Sequence, residues 1–150
     1  MANAFMKMGN LFVKDILNSP LHPLMSGSTV VISLTGRKSG TIYSIPVNYE
    51  RDGNEVMMTS VRDRTWWKNL RGGSETRLRI MGESYSARAV AVEDDDVVGA
   101  YLDALLLRQP SMARFYGVNK EEDGSFRGSD LERAASERVL VKAVLSGSVT

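Results

Sequence analysis

Cysteine is absent from this 150-residue chain, and histidine occurs once, at His22. The first absence excludes disulfides, thiolate metal sites and a cysteine nucleophile. The second leaves a histidine-based metal centre or a Ser-His-Asp triad without its parts. His22 lies between Leu21 and Pro23 at the end of a linker and is expected to be a surface or packing residue. No metal site is expected. Surplus charge is lacking too: 19 Lys and Arg against 18 Asp and Glu leave +1, so nothing global points to nucleic acid. No apolar run is long enough to cross a bilayer, no A-x-A-like cleavage site follows the first helical stretch, and no repeat or low-complexity tract appears. With 43% hydrophobic and 25% charged residues, the composition is that of a soluble globular protein. At this length a single domain (1–150) buries roughly two-thirds of its unfolded surface. The expected location is cytoplasmic.

What is present is a series of short strands. Thr29-Val30-Val31-Ile32-Ser33-Leu34 is a β-branched run of the buried-strand type. The segment from Thr41 to Glu50 alternates again, through Ile42, Ser44, Ile45, Val47 and Tyr49. Between them stands Thr35-Gly36-Arg37-Lys38-Ser39-Gly40, a turn with a glycine at each end and two cations at its tip. Glycine permits a positive φ and lets backbone approach a ligand closely. The cations, hydroxyls and turn N–H groups could form a concave anion site; equally, the tip could be a hairpin end solvated by charge. A nucleotide P-loop is excluded, since that pattern needs wider spacing and a following helix.

Around this hairpin the chain reads in order. Residues 1–19 carry Phe5, Met8, Phe12 and Ile16 at helical spacing, with Lys7, Asn10, Lys14 and Asp15 on other faces. That amphipathic helix ends at Asn18-Ser19-Pro20 and is expected to pack on the core; it is also the candidate for peripheral membrane contact. Asp52-Gly53 is a strong hairpin signal leading into a third strand, Asn54 to Ser60. Trp66 to Arg71 predicts one or two helical turns closed by Gly72-Gly73. Thr76 to Met81 and Ser84 to Val92 predict strands four and five, completing a five-strand core over 28–93. Asp94-Asp95-Asp96 starts a helix running to Arg108, Gln109-Pro110 stops it, and Ser111 to Tyr116 forms a short second helix, so helices fill 94–117. Lys120 to Gly128 is expected to be a flexible loop, and the last strand spans 137–145. Strands this closely spaced leave no room for parallel crossovers. The prediction is a mainly β, α+β fold: a six-stranded antiparallel barrel with an N-terminal helix and helices inserted before the last strand.

Thr35-Gly36-Arg37-Lys38-Ser39-Gly40, Pro46, Asp52-Gly53 and Trp66-Trp67-Lys68-Asn69-Leu70 together resemble the deazaflavin-dependent nitroreductase family, whose members are also described as quinone reductases using coenzyme F420. The resemblance covers residues 28–93 well and the flanking helices in outline. It implies a split β-barrel, related to flavin-mononucleotide-binding split barrels. It implies that Arg37, Lys38, Ser39 and Gly40 hold the coenzyme's phosphate and acidic tail, and that Trp66 and Asn69 border the same pocket. Pro46 belongs to the motif, and Thr59, Ser60 and Val61 would lie along the deazaflavin ring. The family's longer glycine-rich loop after the third strand is replaced here by Val61-Arg62-Asp63-Arg64-Thr65, which makes Arg62 or Arg64 the stand-in for a phosphate-clamping lysine. An arginine common early in the second strand and an asparagine-proline after the Trp helix are also missing. Split barrels of this kind are often dimers.

The resemblance implies an oxidoreductase that moves a hydride from reduced F420 to a small-molecule acceptor: a quinone, a nitro compound or an activated alkene. Tyr116, in Arg114-Phe115-Tyr116-Gly117, is the candidate proton donor, with Tyr43 and Tyr49 behind it. Trp66 and Trp67 are adjacent and so diverge, with Trp66 assigned to the pocket. The alternative is a non-catalytic carrier on the same barrel, holding flavin mononucleotide (FMN), a tetrapyrrole or a fatty acid.

Overall fold

The computed structural model describes residues 29–148. The predicted N-terminal helix, its membrane contact and His22 lie outside the described residues. Six strands form a closed antiparallel barrel: β1 Thr29–Thr35, β2 Ile42–Asp52, β3 Glu55–Val61, β4 Ser74–Ile80, β5 Glu83–Val92 and β6 Arg138–Ser148. Their order around the barrel is β1-β2-β3-β6-β5-β4, with β4 closing onto β1 through Val31↔Arg79 and Ser33↔Arg77. The predicted strands are all there, with no end displaced by more than three residues. Three helices, α1 Asp95–Arg108, α2 Ala113–Tyr116 and α3 Gly128–Ser136, are inserted between β5 and β6.

Alternation decides which side chain faces the barrel axis. Val30, Ile32 and Leu34 from β1, Ile45 and Val47 from β2, Val56 and Met58 from β3, and Leu78 and Ile80 from β4 all point inward and are buried. Small residues on β5 and β6 (Ala87, Ala89, Ala143) oppose these larger ones, which lets six strands close tightly. Truncating a fully buried member such as Ile32 to alanine would cost about 2–5 kcal/mol. A 3₁₀ helix, Trp66–Leu70, plugs one end with Trp66, Trp67 and Leu70.

The outer face of β3 turns Met57 and Thr59 toward the helical layer, where Val98, Leu102, Leu105, Leu106, Tyr116, Ala134 and Leu140 form a second core. Asp94 caps α1 as its acidic start predicts: its carboxylate accepts from the Asp96 and Val97 N–H groups at 2.9 and 3.3 Å. Two expectations need correction. The Lys120–Gly128 segment is not a plain flexible loop: Lys120 and Phe126 form a β-bridge, and Asp123 accepts from both the N–H and the hydroxyl of Ser125. A further helix, α3, follows it where no element was predicted. Its N-cap is Arg127, with no side-chain capping bond, so the usual start signal is missing.

In an antiparallel barrel with this connectivity, the ends of β1, β3 and β5 and the starts of β2, β4 and β6 lie at one rim. The basic turn, the Trp helix and the first residue of β6 therefore meet there.

Candidate functional site

The β1–β2 turn is a tight loop built around its glycines. Gly36 N–H donates to the Thr41 carbonyl at 2.7 Å and Gly40 N–H to the Gly36 carbonyl at 2.9 Å. Gly40 has φ +69, a conformation that favours glycine. Gly36 is required for a different reason: a Cβ there would stand 2.8 Å from both the Ser39 hydroxyl and the Tyr43 ring. Ser39 Oγ accepts from the Thr41 N–H at 3.1 Å, so it shapes the turn from within.

Asn69 fastens this turn to the Trp helix. Its amide oxygen accepts from the Arg37 N–H at 2.9 Å, and its Nδ2 donates to the Trp66 carbonyl at 3.0 Å. The Arg37 guanidinium donates to the carbonyls of Arg71 and Gly73, clasping the loop beyond that helix. Between turn and helix opens a cleft of about 540 Å³. Four cations line it (Arg37, Lys38, Lys68 and Arg71) together with Ser39, Tyr43, Trp66 and Asn69, and no carboxylate among the described residues is in its walls. Arg71 is held by Glu93 in a two-pronged pair at 3.0 and 3.0 Å, which keeps the Glu93 carboxyl below its usual range. The Lys38 ammonium has no partner among the described residues. Sequence reasoning missed Lys68 and Arg71, which sit within and just after the Trp helix and converge on the turn only once that helix is seated.

The second tryptophan does not line the cleft. Trp67 is buried in the barrel with Arg71 5.0 Å and Lys68 5.9 Å from its ring centre. Trp66 forms the cleft's inner wall, and its indole N–H donates to Ser60 Oγ at 3.0 Å. Across that bond lies a groove of about 330 Å³ lined by Pro46, Thr59, Ser60, Val61, Arg64, Phe115 and Arg138 among others. The motif residue Pro46 and the expected ring-contacting residues Thr59, Ser60 and Val61 are thus gathered in this groove, next to the cleft that holds Arg37, Lys38, Ser39, Trp66 and Asn69. Arg62 is in neither. Its guanidinium donates to the Arg138 carbonyl (2.8 Å), the Glu93 carbonyl (2.7 Å) and the Asp95 carboxylate (2.6 Å), joining β5, α1 and β6. Of the two residues expected to stand in for the clamping lysine, Arg62 is thus engaged by the protein's own acceptors, and Arg64 lines the groove.

Tyr116 lies behind the groove wall: it does not line the groove itself, but a small pocket that it shares with Thr59, Tyr101 and Glu50. Its hydroxyl is 2.8 Å from Thr59 Oγ1, its ring is buried, and the Arg138 guanidinium lies 4.8 Å from its centroid. Burial pushes the Tyr116 phenol up, while the Thr59 hydrogen bond and the Arg138 charge pull it back. It stays a neutral O–H at ordinary pH. The α2 helix that carries it ends at Gly117, with φ +70, which turns the chain away directly after the tyrosine. Tyr49, by contrast, packs against the barrel core.

A second polar cluster lies on the other side of Tyr116. Glu50 accepts from Tyr101 (2.9 Å), Arg108 (2.7 Å) and Gln109 (2.7 Å), tying α1 to β2. Burial alone would raise the Glu50 carboxyl, but these three donors hold it below its usual range. Burial, reinforced by Glu50, pushes the Tyr101 phenol far up. No group of three acidic or histidine side chains that could hold a metal ion occurs among the described residues. None of the described helices is long and apolar enough to cross a membrane.

Comparison with known proteins finds the same barrel. A general stress FMN/FAD-binding protein from Xanthomonas citri aligns over 91% of this chain and 87% of its own, at 17% identity and a TM-score of 0.53. A conserved hypothetical protein from Mycobacterium tuberculosis aligns over 92% of this chain and 81% of its own, at 13% identity and a TM-score of 0.50. Likenesses at such identities establish a shared barrel fold and no more. A structure described as an F420 reductase is also similar, at 14% identity and a TM-score of 0.48, covering 91% of this chain and 94% of its own. No curated protein matches. The sequence model for F420H(2)-dependent quinone reductases matches residues 17–119, more than half of the chain and most of the barrel together with α1 and α2. This chain belongs to the F420H(2)-dependent quinone reductase family.

Proposed function

We propose that the basic cleft holds the phosphate and acidic tail of coenzyme F420, and that the adjoining groove takes the deazaflavin ring along Thr59, Ser60 and Val61 with a quinone, nitro compound or activated alkene against it. The observation that carries this reading is the cleft wall: four cations, no carboxylate, and an indole edge at the passage to the groove. Such a donor set suits a polyanion: Arg71 is answered by Glu93, but Lys38 and Lys68 have no carboxylate partner among the described residues and gain most when a ligand supplies one.

When bound, the reduced deazaflavin supplies a hydride, and the protein's task is alignment and charge control. Lys38 and Arg37 meet the acidic tail, with Lys68 and Arg71 below them. Asn69 fixes the turn to the helix, so it positions Arg37 and takes no part in the chemistry. Thr59, Ser60 and Val61 provide the surface along which the ring would extend from the Trp66 corner. The Tyr116 hydroxyl is the proton source, and Thr59, which lines the groove 2.8 Å from it, would pass the proton to the acceptor.

Titration of the protein with F420, and separately with FMN, tests the reading. Sub-micromolar binding of F420 with much weaker binding of FMN, followed by oxidation of reduced F420 on addition of a quinone, is the expected result. Preferential binding of FMN, or tight F420 binding with no turnover on any of the three acceptor classes, would instead favour the carrier reading.

A further inference from the structure

The groove behind Trp66 carries a charge that is only weakly balanced among the described residues. Val61 and Arg138 face each other across the β3–β6 ladder, so the barrel register holds the Arg138 side chain at the groove wall. That side chain is only 13% exposed, stacked on the buried Tyr116 ring. Its nearest carboxylate is Glu137, 3.8 Å away and more than half exposed, which is a weak, solvent-screened pair. Arg64, half-buried, lines the same groove, and none of the groove's lining residues is acidic. The remaining walls include Pro46, Val47, Val61 and Phe115, the last 58% exposed. A partly desolvated guanidinium costs free energy until an anion or strong acceptor meets it, and its planar fork suits carboxylate or sulfonate oxygens.

We propose that this groove selects acceptors that combine a flat apolar ring with an anionic substituent, the ring against Phe115 and Pro46 and the anion on Arg138 and Arg64. The inference rests on the reductase reading for the word acceptor, whereas the groove's preference for such a ligand is a binding property that does not require F420.

The test therefore measures binding first. Naphthalene-2-sulfonate and its neutral isostere naphthalene-2-sulfonamide differ in charge and hardly in shape. Calorimetry on the full chain is expected to give the sulfonate at least a tenfold advantage, the usual scale for a hydrogen bond to a charged group. Arg138→Gln should reduce that preference to less than threefold, Arg64→Gln should reduce it partly, and Arg138→Lys should restore some of it. Steady-state turnover of 1,4-naphthoquinone-2-sulfonate against 1,4-naphthoquinone should show the same ratio in KM and the same loss in the variants. Equal binding of sulfonate and sulfonamide to the wild-type protein would overturn the proposal. So would a preference that survives Arg138→Gln and Arg64→Gln yet vanishes in Lys38→Ala, because the anion would then sit in the basic cleft. A parallel loss of F420 affinity in Arg138→Gln would overturn it too, by assigning that arginine to the coenzyme. If F420 itself fails to bind while the sulfonate preference behaves as stated, the coenzyme assignment falls and the groove's selectivity stands.

Discussion

The Glu50 cluster and the basic cleft are made from the same kinds of side chain, yet they end in opposite states. At Glu50, one half-buried carboxylate collects a tyrosine, an arginine and a glutamine, so α1 is pinned to β2 and little polar capacity is left over. In the cleft, Arg37 is committed to backbone carbonyls and Arg71 to Glu93, while Lys38 has no partner among the described residues and no acid lines the wall. By charge they already differ, one carboxylate against one arginine at Glu50 and four cations along the cleft. What separates their roles is satisfaction: a cluster that answers its own charges stabilises the fold, and one that leaves them unanswered is available to a ligand. Tyr116 sits between the two, with its hydroxyl on Thr59 and its ring under Arg138.

The largest effect expected is at that boundary. Tyr116→Phe should lower turnover by ~10²–10⁴-fold with coenzyme affinity near wild type, as removal of a positioned general acid does. A loss under about tenfold (roughly 1.4 kcal/mol of barrier) would move Tyr116 to the structural side of the comparison, with solvent supplying the proton. Next comes the ligand side. Lys38→Ala should weaken F420 binding by about 1.5–3 kcal/mol and leave the denaturation midpoint unchanged. Unaltered affinity in both Lys38→Ala and Arg37→Ala would remove the tail from this cleft.

On the structural side the signature should invert. Glu50→Gln should lower unfolding free energy by about 1–3 kcal/mol and leave the F420 dissociation constant alone. Because the folded-state Glu50 carboxyl is held below its ordinary value of 4.5, its contribution is present above that pH and lost as pH falls through the folded value. Wild type and Glu50→Gln should therefore differ most near neutrality and converge in acid. A gap that persists in acid would trace the loss to packing instead of charge. The smallest effect is the salt response: F420 affinity should decline steadily as ionic strength rises, while the midpoint of chemical unfolding moves much less. A salt-independent affinity would mean that ring contacts dominate over the cations.

Much of the barrel was legible because strands whose inward faces are Val30, Ile32, Leu34 or Val139, Val141, Ala143 state their alternation directly. The turn was legible too, since two glycines flanking two cations make a local signal. Other features depend on distant partners. Helix α3 offers alanines and a glycine start with no side-chain cap, so nothing local announces it. The Lys120–Gly128 segment looked loose because it is polar, yet Asp123 folds it back on Ser125. Arg62 seemed suited to a phosphate by type alone. It is claimed by carbonyls at the end of β5 and the start of β6, which only the closed barrel brings beside it. Thr59 and Tyr116 are 57 positions apart, and only the packing of α2 on the outer face of β3 puts their hydroxyls together.

The position of β6 has a kinetic consequence. This strand is the last of the six in chain order, but it lies between β3 and β5 and pairs with both. Until Arg138 and the residues after it are available, β3 and β5 each present an unpaired edge, and the helical layer lacks Leu140 against which to close. Exposed strand edges are templates for wrong partners, and loop closure over such sequence distances is slow. A nascent chain of this protein thus spends the interval before its sixth strand emerges in its most aggregation-prone form. Shortening that interval, by circular permutation that moves β6 ahead of β1, should raise the yield of folded protein while keeping the strand pairings of the finished barrel.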